Sequence, residues 1–117
     1  MRDHRKLRAF ELADRLVMSI YSATKPFPRE EQFGLTSQLR RAAVSIASNI
    51  VEECSRNSQA DYIRFLDMAF GSAKEVQYQI TIANRLEYLP GEDARDLAAQ
   101  AEETARVLAG LLHSLRG

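Results

Sequence analysis

The chain has 117 residues, which is enough for one domain built around one modest core. Ala and Leu supply 29 of them whereas Gly and Pro supply only 8, a balance that favours helices over a β-sandwich or β-barrel. An apolar content of 45% excludes a disordered chain. Sixteen basic and sixteen acidic residues give a net charge of zero, so any binding of nucleic acid depends on local charge.

Residues that bind metals or form disulfides are scarce. Cys54 is the one cysteine, which excludes an internal disulfide, and His4 and His113 are too few further ligands for a structural zinc site. The first residues lack an apolar signal segment, and no run of about 18 apolar residues predicts a membrane span. We therefore expect a cytoplasmic protein with no membrane contact and with no metal or other cofactor.

Two helices are predicted in the first half of the chain. The first spans about residues 5–24, because apolar residues recur at steps of three and four until Pro26. The second spans about residues 35–54, and the hydroxyl of Thr36 or Ser37 is the expected cap of its N-terminus.

Two longer helices follow. Ser58 and Asp61 have the spacing of a capping box at the start of the third, which is predicted at about residues 59–88, and the fourth spans about residues 92–115. Since the connections after the second and third helices are only about four residues long, neighbouring helices should be antiparallel. The sequence thus predicts one all-α domain, residues 1–117, folded as an up-down-up-down four-helix bundle.

The third helix carries a second apolar side, formed by Tyr78, Ile82 and Leu89 about half a turn from its main stripe. One interpretation is that the loop after the first helix, with Phe27 and Phe33, folds over these residues. The other is that they form an interface between subunits. We favour the interface, and hence a homo-oligomer, because so small a bundle has little loop to use as a cover.

Basic residues concentrate at the start of the chain. Residues 1–41 carry a net charge of +4, whereas residues 87–117 carry −3. Four cations lie at the positive N-terminal end of the first helix, against the helix dipole: Arg2, Arg5, Lys6 and Arg8. Either these residues fray and are solvated, or a bound anion such as a phosphate backbone neutralises them. A nucleic-acid surface built on them would also recruit Arg40, Arg41 and Arg56.

A polar row follows the second helix beside its apolar stripe, through Arg41, Ser45, Asn49 and Glu52. In one interpretation the row is structural, with Ser45 and Asn49 bonding to a neighbouring helix and Arg41 pairing with a carboxylate. In the other, the row binds a ligand or nucleic acid.

Several short motifs in and around this row are distinctive. They are Phe33-Gly34-Leu35, Gln38-Leu39-Arg40-Arg41-Ala42, Ser45-Ile46, Asn49-Ile50, Glu52 and Phe65-Leu66. Together they resemble the proteins of the bacterial 23S rRNA intervening-sequence family, and the resemblance extends from Leu7 to the fourth helix. It implies a four-helix bundle that assembles into a homopentameric ring, with RNA as the suspected ligand. It also marks a family motif in the polar row: Gln38, Arg41, Ser45, Asn49 and Glu52.

One departure from the family pattern bears on function. The family ends its second helix with Ala-Glu-Gly, where this chain has Val51-Glu52-Glu53. Glu53 adds an anion beside Glu52, which argues against a phosphate contact at this end of the helix.

An enzyme is the class with the least support. The chain has no Gly-rich phosphate loop and no Glu-x-x-His pair, and Cys54 is expected to be an inert buried thiol. We predict a non-catalytic homo-oligomeric bundle that binds RNA or another nucleic acid through a basic surface. The alternative is a scaffold that binds a protein partner and has no nucleic-acid role.

Overall fold

Apolar residues at steps of three and four build four α-helices in the computed structural model, which describes residues 4–117, with side chains from Arg5 onward. In chain order the helices are α1 His4–Thr24, α2 Leu35–Cys54, α3 Gln59–Arg85 and α4 Gly91–Arg116, and a 3-10 turn at Arg29–Glu31 precedes α2. Both α1 and α3 pack against α2 and α4, so the four antiparallel helices form a square in section. The predicted all-α bundle is confirmed. None of these four helices is long and apolar enough to cross a membrane.

One apolar stripe from each helix faces the bundle axis and forms the core. Its largest fully buried side chains are Leu16, Ile20, Leu39, Ile46, Ile50, Leu66, Val76, Ile80, Leu108 and Leu111. Buried alanines alternate with them and let the helices approach closely. Each buried Leu or Ile side chain contributes about 1.5–3 kcal/mol to folding, so this core is the main source of stability.

The end of α3 differs from the prediction. The helix ends at Arg85, before the predicted residue 88, because Glu87 adopts a left-handed conformation with φ of 63°. The N–H of Tyr88 then donates to the carbonyl oxygen of Ala83 at 2.9 Å, which closes the helix with a Schellman motif. The predicted boundary was wrong because it was placed at the proline beyond this cap. Leu89 consequently lies in the connection to α4 and not on a helix face.

The start of α2 also differs from the prediction, which assigned its cap to Thr36 or Ser37. The carboxylate Oε1 of Glu31 accepts the N–H of Leu35 at 3.0 Å instead. A Cβ at Gly34 would lie only 2.6 Å from that oxygen, so glycine leaves the space that the carboxylate occupies. Glu31 therefore acts from the preceding turn as the cap of α2.

Candidate functional site

The described residues of the predicted basic arm contact other helices of the protein, and Lys6 reaches a buried carboxylate. The Nζ of Lys6 lies 2.7 Å from Oε1 of Glu53, whose side chain is 0% exposed. The same ammonium lies 4.7 Å from the centre of the Tyr62 ring. Lys6 thus neutralises a buried carboxylate at the end of α2, so the structure does not leave it available to phosphate. Arg2, the first cation of the arm, lies outside the described residues.

Arg5 and Arg8 connect α1 to α4. The guanidinium of Arg8 lies 2.7 Å from Oε1 of Glu103, and that of Arg5 donates to the Ser114 hydroxyl at 2.5 Å. Both arginines are exposed, so these contacts add little stability. They nevertheless direct both guanidinium groups along the protein's own surface.

Arg40 and Arg56 are likewise held by the chain. The Nε of Arg40 donates to the Thr24 hydroxyl at 2.9 Å, and its guanidinium lies 4.6 Å from the Tyr21 ring centre. Arg40 therefore places its charge at the negative end of α1. Arg56 forms an ion pair of 3.0 Å with Glu52.

The polar row of α2 lies beside α3. The hydroxyls of Ser45 and Ser72 are 2.9 Å apart, which joins the two helices. Asn49 donates to the Ser45 carbonyl at 2.8 Å and so bonds within its own helix. Gln38 and Arg41 are exposed, and among the described residues no carboxylate lies within ion-pair distance of Arg41.

The three residues predicted to form a subunit interface differ in how far they are buried in the structure. Leu89 is only 3% exposed and belongs to the protein's own core together with Phe27, so assigning it to an interface was wrong. Ile82 is half-buried against that core, whereas Tyr78 remains 62% exposed. Phe33 covers none of them, since its ring is 89% exposed.

Glu31 also links the loop before α2 to the end of α3. The hydroxyl of Tyr88 donates to its Oε2 at 2.8 Å. The N–H of Leu35 and this hydroxyl lower the pKa of the Glu31 carboxyl, in that order of importance. The same bond raises the pKa of the Tyr88 phenol, because it stabilises the protonated form.

Replacing Tyr88 with Phe is expected to lower the melting temperature at neutral pH, and the deficit should shrink as the pH falls. A carboxyl with a lowered folded-state pKa stabilises the fold above its unfolded-state pKa, and this contribution is lost as the pH falls through the folded-state value. Thermal unfolding followed by circular dichroism from pH 7 to about pH 3 measures the effect. Tyr78→Phe is the control, and a deficit independent of pH would contradict the assignment.

The outward faces of the square differ in character, and the α1/α2 face is apolar. Of the side chains described from Arg5 onward, two charged ones lie on it, Asp14 and Arg40, and Arg40 is stacked on Tyr21. Its exposed or half-buried apolar residues are Leu7, Phe10, Val17 and Tyr21 of α1 and Val44, Ala47 and Val51 of α2. They lie side by side because the contacts Lys6–Glu53 and Thr24–Arg40 fix the two helices antiparallel.

The opposite face, between α3 and α4, is basic. Along the two helices it carries four exposed cations and one exposed carboxylate, namely Lys74, Arg85, Arg95, Arg106 and Glu102. Two further exposed carboxylates, Glu87 and Glu92, lie at the connection between the helices, so the cations still outnumber the carboxylates. The ion pair between Asp67 and Arg116 lies at one end of it. Sequence analysis missed this face because its cations come from two separate helices, and only the register of α3 against α4 brings them together.

The remaining two faces offer phosphate no net attraction. On the α2/α3 face three arginines balance three carboxylates: Arg41, Arg56 and Arg64 against Glu52, Asp61 and Glu75. On the α4/α1 face four carboxylates outnumber three arginines: Glu11, Asp93, Asp96 and Glu103 against Arg5, Arg8 and Arg15. An open cleft of about 530 Å³ at the latter face is lined by Asp93 and Asp96, which repel anions.

Metal-ligating and nucleophilic side chains are few on the described surface. Among the side chains that the structure describes, no three His, Cys, Asp or Glu residues form a metal-binding group. Cys54 is exposed, contrary to the expected burial. Partial desolvation and the neighbouring Glu53 raise the pKa of its thiol, which keeps it protonated and a poor nucleophile at neutral pH.

The sequence profile described as 23S rRNA-intervening sequence protein matches residues 5–110. The chain belongs to this family. A crystal structure of a protein of unknown function from the S23 ribosomal protein family of Bacteroides thetaiotaomicron superposes with a TM-score of 0.86. The match covers 93% of this chain and 98% of that protein, at 22% sequence identity. No curated protein matches the chain.

These comparisons establish the family and the fold. At 22% identity the structural likeness shows that the two chains share a bundle architecture, and it assigns no residue a role. The function of 23S rRNA-intervening sequence proteins is not known. A function for this member therefore has to be argued from its own surfaces.

Proposed function

We propose that this protein is a non-catalytic helical bundle that assembles with copies of itself and binds nucleic acid. The observation that carries the proposal is the contrast between two opposite faces, α1/α2 apolar and α3/α4 basic. These faces lie on opposite sides of the square. A second copy of the protein can therefore cover the apolar α1/α2 face while the basic α3/α4 face stays open to solvent. The family resemblance favours a pentamer as the assembly and RNA as the ligand.

The α1/α2 face supports self-association. Val51 is 54% exposed, and Leu7, Tyr21 and Val44 are also exposed on the same side of the bundle. A soluble monomer seldom leaves so continuous an apolar strip in water, whereas a subunit interface has this composition at its centre. The proposed contact between subunits thus moves from α3, where Leu89 is buried, to α1 and α2.

The double substitution Val44→Glu and Val51→Glu is expected to weaken self-association about a hundredfold or more, because it places unpaired carboxylates in the covered face. Light scattering on the eluting protein would show monomer, while circular dichroism would still show a helical bundle. Met18→Glu, on the exposed acidic face, is the matched control. An unchanged mass for the double variant would overturn this interface.

Binding of nucleic acid is tested by fluorescence anisotropy with labelled RNA and labelled duplex DNA at several salt concentrations. A fall of log K with log salt is the expected result, since each neutralised phosphate releases counterions. Absence of binding at low salt, where attraction is strongest, would overturn the nucleic-acid role. The protein-interaction scaffold would then be the better function, with the exposed Phe33 ring as its first candidate contact.

A further inference from the structure

The four cations of the α3/α4 face form two pairs. The Asp67–Arg116 contact sets the register of the antiparallel helices. Seven residues along α3 and ten back along α4 lead to Lys74 and Arg106, which therefore lie within one turn of the same level. Eleven further residues on each helix lead to Arg85 and Arg95. At 1.5 Å per residue, the two pairs are about 16 Å apart.

These cations differ from Lys6 and Arg8 of the basic arm, which form ion pairs with carboxylates of other helices. All four are exposed, and within the described part of the chain none has a carboxylate at ion-pair distance. The Nζ of Lys74 lies 5.9 Å from the centre of the Phe70 ring. Their charges are therefore open to phosphate oxygens from solution.

An exposed aromatic ring lies between the two pairs. Tyr78 follows Lys74 by four residues and precedes Arg85 by seven, so all three project from the same side of α3. Its side chain is 62% exposed and projects from a regular part of α3. A ring held in this way can stack on a nucleobase.

Glu102 bears on whether the phosphates or the bases of a nucleic acid would lie against the middle of this face. It lies along α4 between Arg95 and Arg106, where its charge repels phosphate from the middle of the face and its oxygens can accept a base N–H. The backbone therefore has to follow the cations, with the bases turned toward Tyr78. Bases paired within a duplex are stacked on each other and cannot reach the ring.

We infer that the α3/α4 face binds a single-stranded segment of nucleic acid, with the two cation pairs on its phosphates and Tyr78 stacked on a base. This inference rests on the proposed nucleic-acid function. At about 16 Å apart, the two pairs would contact phosphates a few nucleotides apart along one strand. RNA and DNA share the phosphates and base faces that the site recognises.

The test uses the full chain and three labelled probes: oligouridine RNA, oligothymidine DNA and a duplex of the same length. The wild type should prefer both single strands to the duplex. Tyr78→Ala should weaken single-strand binding about tenfold or more and leave duplex binding unchanged, whereas Tyr78→Phe should retain it. Met18→Ala, which removes an equally exposed side chain from the acidic face, should have no effect.

A second variant tests the cations. Replacing Lys74 and Arg106 with Gln should reduce the slope of log K against log salt by about 1.4, as expected for two phosphate contacts on a single strand. Replacing Lys25 and Arg29 with Gln removes the same charge outside this face and should leave the slope unchanged. An ineffective Tyr78→Ala, or equal binding of the duplex, would overturn the inference while the nucleic-acid function stood. Failure of the wild type to bind any probe would overturn both.

Discussion

Replacing Lys6 with Ala is expected to lower the free energy of unfolding by about 3–5 kcal/mol, because it leaves the buried Glu53 carboxylate without its cation. The two charged atoms lie 2.7 Å apart and the Glu53 side chain is fully buried. Removing one partner of such a pair costs the desolvation of the other, which is larger than the net gain from the pair itself. Urea or guanidinium unfolding of the purified variant measures this change.

Arg8→Ala is the matched control for Lys6→Ala. It removes a cation from the same helix, but its ion pair with Glu103 is exposed and should contribute less than about 1 kcal/mol. The double variant Lys6→Met with Glu53→Leu should recover most of the lost stability, since it removes both charges together. Equal, small losses for Lys6→Ala and Arg8→Ala would show that the Glu53 carboxylate does not depend on Lys6.

The structural role of Lys6 limits which substitutions can test the basic arm for binding. A variant that neutralises the whole arm is expected to destabilise the bundle through the loss of Lys6, so a loss of RNA binding would not identify a contact. Substitution of Arg8 alone leaves the buried pair intact. A test of nucleic-acid binding by the arm should therefore leave Lys6 unchanged.

Leu89→Ala is expected to cost about 2–4 kcal/mol of folding stability and to leave the mass of the assembly unchanged. The side chain is 3% exposed and packs in the core, so its truncation leaves a cavity. Leu86→Ala is the control, because that side chain is 50% exposed three residues earlier and should change stability by no more than about 0.5 kcal/mol. A shift of the assembly toward monomer without a loss of stability would restore Leu89 to an interface.

Leu89 shows the limit of predicting burial from hydrophobic spacing. Counting steps of seven from Ile82 places Leu89 on the outer side of a continuing helix. The chain leaves the helix at Glu87, which takes a positive φ, and the side chain turns inward. A left-handed cap formed without glycine carries no clear sequence signal, so the true end of α3 could not be predicted from the spacing.

The distribution of charge on the surface could likewise be predicted only in part from the sequence. The excess of cations at the start of the chain is visible in the sequence, but Lys6, Arg8 and Arg40 each meet a partner on another helix. The cations left open, such as Lys74 and Arg106, come from helices whose sequences are unremarkable in charge. Net charge over a segment therefore does not identify the surface that remains free after folding.

The four helices and their order could be predicted from local sequence patterns. The apolar period, the Ser58 cap, which accepts the Asp61 N–H at 3.2 Å, and the short connections predict four antiparallel helices, because these signals act between near neighbours in the chain. Which charged side chains pair within the protein and which stay exposed to solvent depends on how the helices pack against each other. Cross-helix pairs such as Lys6–Glu53, and the basic face on α3 and α4, depend on register between distant segments, which no local pattern specifies.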